Sequence, residues 1–123
     1  MKSPWFIISS IAASGNGRSP GTVNLIRTRT LSITTRLTCG ASVDANPLIE
    51  VYYSPDSDKF DTTAYASWEM TYSAGNTIQL TKTLDMPEHG EFYVKISNQS
   101  SADVLTNSQV WYSIQAWPND GAE

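Results

Sequence analysis

The chain has few of the residues that form catalytic sites and covalent crosslinks. It contains one cysteine, Cys39, and one histidine, His89, so an intrachain disulfide and the usual zinc frameworks are excluded. Small secreted domains more often carry paired cysteines, which here favours folding in a reducing cytoplasm. Cys39 falls on the apolar face of a predicted strand, where a thiol behaves as a small hydrophobe. His89 lies in a predicted turn, and the sequence has no G-x-S-x-G nucleophile motif. We therefore predict no enzyme activity, no catalytic residue and no cofactor.

Charged residues and long apolar runs are also scarce. Only 16% of residues are charged, and no segment approaches the roughly 20 apolar residues that span a bilayer. The segment 1–15 resembles a signal peptide only weakly, because Pro4, Ser9 and Ser10 interrupt its apolar run. We therefore predict no membrane association.

The charges are distributed unevenly along the chain. Five basic residues and no acid precede Asp44, whereas all twelve acids lie from Asp44 onward. Either the two signs mix on the folded surface, or a basic edge meets an acidic partner such as a second copy of the chain. The basic residues do not cluster and the sequence pI is about 4.8, so nucleic acid is not a predicted partner.

Alternation of polar and apolar residues is abundant. It is clearest over Arg29–Cys39, whose inward set is predicted to be Leu31, Ile33, Thr35, Leu37 and Cys39. About eight such runs are separated by turn formers, as in the predicted loop Ser14–Gly21. This spacing predicts a single all-β domain over 1–123, a two-sheet antiparallel β-sandwich of the immunoglobulin-like or jelly-roll-like kind. A closed barrel is the alternative.

Two of these runs give specific expectations about packing. The first, Trp5–Ala13, is apolar on both faces around Trp5–Ile8, which predicts a central strand or one covered by a partner chain. A later run is expected to bury four side chains, Ala66, Trp68, Met70 and Tyr72.

The segment 49–65, IEVYYSPDSDKFDTTAY, predicts a strand, a tight acidic loop and a return strand. Asp56, Ser57, Asp58 and Asp61 could offer oxygen ligands to Ca²⁺. The loop lacks the glycine at the bend and the distal glutamate of a calcium loop. We therefore predict a turn that sets strand register, and no metal site.

Tryptophan indicates where a partner would bind. Trp111 and Trp117 share one face of the last predicted strand, and Trp5 lies near the other terminus. The two ends of the chain would then build an aromatic patch that binds a protein or stacks on sugar rings. The alternative is that the chain's own loops cover this strand.

Two motifs resemble small structural proteins of tailed bacteriophages. They are I-E-V-Y-Y-S-P-D-S-D-K-F-D-T and, about thirty residues later, H-G-E-F-Y-V-K-I-S-N-Q-S. The related chains carry a Y-S-P-D-G-x-x-[FW]-D-T-like hairpin, and here Ser57 replaces its glycine. The match covers about half the chain. Glu88–Tyr93 also resembles the corner that enters a late strand of immunoglobulin-like sandwiches, with Tyr93 as the tyrosine whose hydroxyl ties the turn.

The resemblance implies a virion structural protein, assembled in the host bacterial cytoplasm. Its implied role is a capsid cement or decoration protein, with a neck or tail accessory as the variant. Its partners would be the major capsid protein or another virion protein. The apolar excess at the two ends of the chain further predicts a homo-oligomer, such as a trimer. The rival is a carbohydrate-binding module that uses Trp111 and Trp117 as stacking platforms. Segment 1–21 would bind the partner and 118–123 would be a polar tail. The expected partner-binding residues are Trp5, Phe6, Arg18, Arg27, Arg29, Trp111 and Trp117.

Overall fold

The computed structural model describes residues 3–56 and 59–118, and this part of the chain forms β-strands without a helix. The strands are β1 (Phe6–Ile11), β2 (Asn16–Arg18), β3 (Val23–Leu25), β4 (Thr28–Cys39), β5 (Leu48–Ser54), β6 (Ala66–Glu69), β7 (Thr77–Asp85), β8 (Gly90–Ser97) and β9 (Leu105–Ala116). β2 lies inside Ser14–Gly21, so the prediction of a plain loop there is wrong. In the described residues no helix could cross a membrane.

The strands form two antiparallel sheets, which confirms the predicted sandwich. The first sheet has the order β1-β9-β4-β7, and the second has the order β2-β8-β5-β6. β3 also pairs with β8, on the side that faces away from β5. The core lies between the sheets and includes the fully buried side chains Leu31, Ile33, Leu37, Ile49, Val51, Phe92, Val94, Ile96, Leu105 and Val110.

In β4 the residues that face the core are those that the alternation predicts. Leu31, Ile33 and Leu37 are fully buried, and Cys39 is buried with them. The outward face of β4 pairs its hydroxyls with those of β7 across matched positions of the register. These hydroxyl pairs are Ser32–Thr83 at 2.8 Å, Thr34–Thr81 at 2.7 Å and Thr38–Thr77 at 2.8 Å. The outer surface of the first sheet is therefore polar although its charge is low.

β1 lies at the edge of the first sheet, pairing only with β9 among the described strands. The prediction of a central strand is wrong, because Ile7 on its outer face is 54% exposed. Phe6 is buried, and Ile8 packs against the core from the same strand face. Trp5 precedes the strand and also packs against the core, so the apolar N-terminal run mainly fills the interior.

β6 is shorter than the alternation predicts. Trp68 and Met70 are buried as predicted, and Ala66 is half-buried, but Tyr72 is 40% exposed. The strand ends at Glu69, and the Tyr72 amide donates to the Asn46 side-chain oxygen at 3.0 Å. Once the chain leaves the strand, the two-residue period no longer decides which side a residue faces. The prediction of an inward Tyr72 is therefore wrong.

The corner before β8 is tied by Tyr53, not by Tyr93 as predicted. The Tyr53 hydroxyl donates to the His89 carbonyl at 2.6 Å. Gly90 has φ of 121°, and a side chain there would overlap the Ser54 carbonyl and the Tyr53 ring. Glycine tolerates this positive φ and has no side chain to cause the overlap, so β8 can begin directly beside β5.

The acidic loop after β5 behaves as a turn over its described part. The Asp56 carboxylate accepts the Ser54 hydroxyl at 3.1 Å and the Lys59 amide at 3.3 Å. The first bond joins two side chains and the second joins a side chain to the backbone, and local bonds of the second kind stabilise turns. Ser57 and Asp58 lie outside the described residues. Within residues 3–56 and 59–118 no three histidine, cysteine or acidic side chains are grouped as a metal site.

Candidate partner-binding site

Three of the predicted partner-binding residues meet at one end of the first sheet. The Trp117 amide donates to the Arg27 carbonyl at 2.8 Å, and Arg27 Nη2 donates to the Pro118 carbonyl at 2.7 Å. The Arg29 guanidinium carbon lies 5.1 Å from the centroid of the Trp117 ring. We call Ile26, Arg27, Arg29 and Trp117 the basic-aromatic corner.

The backbone at the start of β4 holds this corner. Arg27 has φ of 50°, which turns the chain sharply between β3 and β4. The Thr28 amide then donates to the Glu88 carbonyl at 3.0 Å, and the β4–β9 register shifts between Thr28 and Thr30. A non-glycine residue in the left-handed region costs about 1–2 kcal/mol. The fold therefore holds an arginine where glycine would be less strained.

The corner exposes apolar surface beside positive charge. Ile26 is 67% exposed and Trp117 is 46% exposed. Within the described residues, neither Arg27 nor Arg29 forms a salt bridge with an acidic side chain. Tryptophan and arginine are enriched among residues that dominate binding energy, and an arginine over an exposed indole contributes about 0.5–1 kcal/mol. The arrangement suits an acidic partner surface that also offers apolar groups.

The structure disperses the other four predicted residues. Trp5 makes edge-to-face contacts with Phe92 and Tyr112, and Phe6 is buried, so neither joins a surface patch. Trp111 lies in β9 opposite Thr34, on the outer face of the first sheet. It precedes Trp117 by six positions, about 20 Å along an extended chain. The aromatic patch predicted from both chain ends is therefore not assembled.

Arg18 belongs to a different surface. It lies in β2, on the second sheet, with its guanidinium carbon 3.8 Å from the centroid of the Tyr93 ring. Tyr93 stacks on Tyr52 with ring centroids 5.0 Å apart, and Phe60 meets Tyr93 edge-on at 5.1 Å. This cluster of four side chains lies on the outer face of the second sheet, whereas the basic-aromatic corner lies at one end of the first.

Sequence reasoning missed this cluster, although the signal was present. Glu50 and Tyr52 alternate with buried neighbours, and so do Tyr93 and Lys95 in the strand beside them. Lys95 forms a salt bridge with Glu50 at 3.9 Å, and the Tyr52 hydroxyl donates to Glu50 at 3.2 Å. Desolvation by burial, followed by the Glu50 charge, raises the pKa of Tyr52 above its ordinary value. The aromatic rings of the cluster pack on one another, and its charged groups contact each other or a ring. These contacts join neighbouring strands, so the cluster stabilises cross-strand pairing.

Carboxylates fix the loops at the opposite end of the sandwich. The Gln99 and Asn46 side-chain amides donate to Glu69 and lower its pKa. The amides of Ser42 and Val104 donate to Asp103 and lower its pKa in the same way. In their charged form, Glu69 and Asp103 accept these hydrogen bonds and so connect the loops at this end of the sandwich.

No protein-family model matches the chain, and no curated protein sequence matches it. A larger number of solved structures show likeness, and three of them serve as examples. A family GH115 4-O-methyl-α-glucuronidase with specificity for decorated arabinogalactans has a TM-score of 0.46 at 11% identity, and the match covers 83% of this chain. The chain spans only 14% of that enzyme.

The other two structures are of viruses. The broad bean stain virus structure has a TM-score of 0.36 at 14% identity, with 94% of this chain and 92% of that chain covered. Naturally occurring empty particles of cowpea mosaic virus give a TM-score of 0.40 at 14% identity, with 97% and 87% covered. All three TM-scores are below 0.5, so the sandwich assignment rests on the strand pairing of the chain itself.

Proposed function

We propose that this chain is a non-enzymatic structural protein of a virion, which binds a capsid or other virion protein through the basic-aromatic corner. In its specific form, the proposal is a capsid cement or decoration protein of a tailed bacteriophage. A neck or tail accessory is the variant with the same chemistry and a different position on the particle. Self-association beside the shell belongs to the same proposal.

The observation that supports binding is the composition of the corner. Two arginines without an acidic partner in the described residues flank a half-exposed tryptophan and an exposed Ile26. The rest of the chain is acidic, with a formal net charge of −4. A positive patch on an otherwise acidic protein, placed beside apolar surface, favours one orientation of an acidic partner.

The support for a virion comes from the phage-like motifs, which fall on elements that shape the sandwich. The first supplies β5 and the turn at Asp56, and the second supplies β8 and the corner tied by Tyr53. These strands are neighbours in the second sheet. The motifs thus mark the scaffold, while the proposed contacts lie at one end of the first sheet.

Binding to particles tests the proposal directly. Phage capsids assembled without this protein are mixed with the purified chain and sedimented, and the bound fraction is measured across concentrations. We expect Trp117→Ala and Arg29→Ala each to weaken binding at least tenfold, because truncating an interface residue that dominates binding costs about 2 kcal/mol or more, and such residues are enriched in tryptophan and arginine.

Arg36→Ala is the matched control, since Arg36 is an exposed arginine on the outer face of the same sheet. It should bind as the unaltered chain does. Equal binding by all variants would refute the role of the corner. Failure of the unaltered chain to bind capsids, tails or necks would refute the virion proposal. Imaging of the particles would distinguish capsid, neck and tail positions.

A second candidate, glycan binding, is favoured by the surroundings of Trp111. Its outer-face neighbours include Thr34, Ser113 and Gln109, whose hydroxyl and amide groups are the kind that bind sugar hydroxyls. Trp117 is too distant to share one sugar ring with it. Glycan binding that Trp111→Ala abolishes, without any binding to particles, would establish this function in place of the first.

A further inference from the structure

The outer edge of β7 directs unpaired backbone groups away from the first sheet. The Cys39 amide donates to the Asn76 carbonyl at 2.9 Å, and the Met86 amide donates to the Arg29 carbonyl at 3.3 Å. Since hydrogen-bonded positions alternate in an antiparallel pair, the even-numbered residues of β7 bond to β4. Thr77, Gln79, Thr81 and Thr83 therefore point their amides and carbonyls away from the sheet. Among the described strands, β7 has no neighbour on that side.

Only the second half of this edge is protected. Lys82 pairs with Ile33 and so lies on the inner face, yet it is exposed, and an inward charge at an edge discourages strand addition. The Asp85 carbonyl already accepts the Tyr65 hydroxyl at 2.8 Å. By contrast, Thr77–Thr81 contains no charge and no proline. Its pairing with β4 runs without a bulge.

A cleft with a partly apolar lining lies beside the unprotected half. Its volume is about 300 Å³, and it opens where the edges of the two sheets meet. Its apolar lining is formed by Ile78 and Leu80, both half-buried, and by the buried Met70. Its polar lining is formed by Glu69, Thr71 and Gln79. Unpaired backbone beside incompletely covered apolar side chains is the combination that accepts another strand.

We propose that β7 pairs antiparallel with β7 of a second copy, about a two-fold axis at Gln79. This register sets Gln79 opposite the partner subunit's Gln79, and Thr77 opposite the partner subunit's Thr81. Three hydrogen-bonded pairs then exchange about six backbone hydrogen bonds. On the inner side, Ile78 meets the partner subunit's Leu80, which covers the apolar part of the cleft in both copies.

The polar outer face fits the same register. The Thr34–Thr81 hydroxyl pair would continue across the axis into the partner subunit's Thr77, itself paired with Thr38 in each chain. The two Gln79 amides are self-complementary, since each offers donors and an acceptor. The second copy is the favoured occupant because Gln79 at the axis is self-complementary and Thr77–Thr81 has no charge that a symmetry mate would repel.

A register centred on Thr81 is disfavoured by the same groups. It would set Lys82 against the partner subunit's Leu80 and require the Asp85 carbonyl that Tyr65 already holds. The interface is isologous, so it closes at two copies, unlike the trimer expected from the phage resemblance. It specifies the self-association in the proposed function and is separate from the particle contact, because β7 contributes no residue to the basic-aromatic corner.

Sedimentation equilibrium of the purified chain tests the pairing. We expect a mass twice the 13.5 kDa of the chain, falling to the monomer mass in Gln79→Lys, where two ammonium groups would face each other at the axis. Gln115→Lys is the control, because Gln115 is exposed on the outer face of the same sheet but lies in β9. This variant should remain dimeric.

Disulfide trapping tests the register. Under oxidation, Gln79→Cys should yield a crosslinked dimer, because facing residues of a hydrogen-bonded pair have Cα atoms about 5.5 Å apart. In Thr81→Cys the two thiols would be offset by four residues, about 13 Å, which is too far to bridge. The native Cys39 is buried and should not compete.

Crosslinking of Thr81→Cys instead of Gln79→Cys would refute the register. If the unaltered chain is monomeric, the dimer is refuted. The remaining occupant of the β7 edge would then be an extended segment of another protein. An oligomer unaffected by Gln79→Lys would refute the assignment to β7.

Discussion

Replacing Trp5 with alanine separates a core role from a partner-binding role for the N-terminal aromatic residues. The Trp5 ring meets Phe6, Phe92 and Tyr112 edge-on, with centroid distances of 5.1, 5.7 and 5.2 Å. Truncating a large core aromatic costs about 3–5 kcal/mol, and edge-to-face pairs contribute part of that. Because Trp5 is half-buried, we expect a loss of about 3 kcal/mol in the free energy of unfolding.

Trp117→Ala is the matched substitution in the basic-aromatic corner. Its ring is 46% exposed and contacts Arg29, so we expect a loss of about 0.5–1 kcal/mol. Urea unfolding of both variants, followed by far-ultraviolet circular dichroism, measures the difference. A domain of this size has a stability of about 5–15 kcal/mol, so both variants should fold in water.

The two outcomes differ by about 2 kcal/mol, well outside the error of comparing midpoints at a common slope. Trp5→Phe should recover part of the loss, because a smaller ring keeps some edge-to-face contact. Equal losses in Trp5→Ala and Trp117→Ala would refute the assignment of Trp5 to the core. So would weakened particle binding in a Trp5→Ala variant of unchanged stability.

Three further predictions concern turns and loops. Tyr53→Phe should lower the free energy of unfolding by about 1 kcal/mol, because the His89 carbonyl loses its donor; an unchanged urea midpoint would contradict this. Gly40→Ala should cost about 1–3 kcal/mol by the same assay, because the added methyl would overlap the Asp103 carboxylate, and a neutral effect would show that the loop adjusts freely. Hydrogen bonds lower the pKa of Asp103 below its ordinary 3.8, so its contribution is complete above that value and is lost as pH falls through the lowered pKa. In Asp103→Asn the decline of melting temperature between about pH 5 and 2 should therefore be shallower, and an identical decline would contradict the linkage.

The sequence predicts the sandwich because buried strands alternate with a period of two. β4 and β8 follow this rule along their length, since both lie inside a sheet with one face on the core. The rule fails at β2, where Asn16–Arg18 reads as turn formers and becomes a strand by pairing with distant β8. It also fails at Tyr72, because the end of β6 is set by a hydrogen bond to Asn46.

The sequence allowed the residues of the candidate site to be predicted, but it did not show that they lie together. Arg27, Arg29 and Trp117 are named by charge pattern and aromatic excess, yet their meeting depends on the register of β4 against β9. That register brings together residues about ninety positions apart, which no local pattern encodes. Trp5 shows the converse, since an aromatic residue near a terminus fills the core when its strand joins the sheet.

The central place of β9 in the first sheet has a consequence for how the chain folds. β9 separates β1 from β4, so the first strand has no partner until the last one is available. During synthesis the edge of β4 that pairs with β9 would therefore stay open until β9 leaves the ribosome. Domains with such distant pairings fold in about milliseconds to seconds, and the first sheet here should close only after β9 has been synthesised.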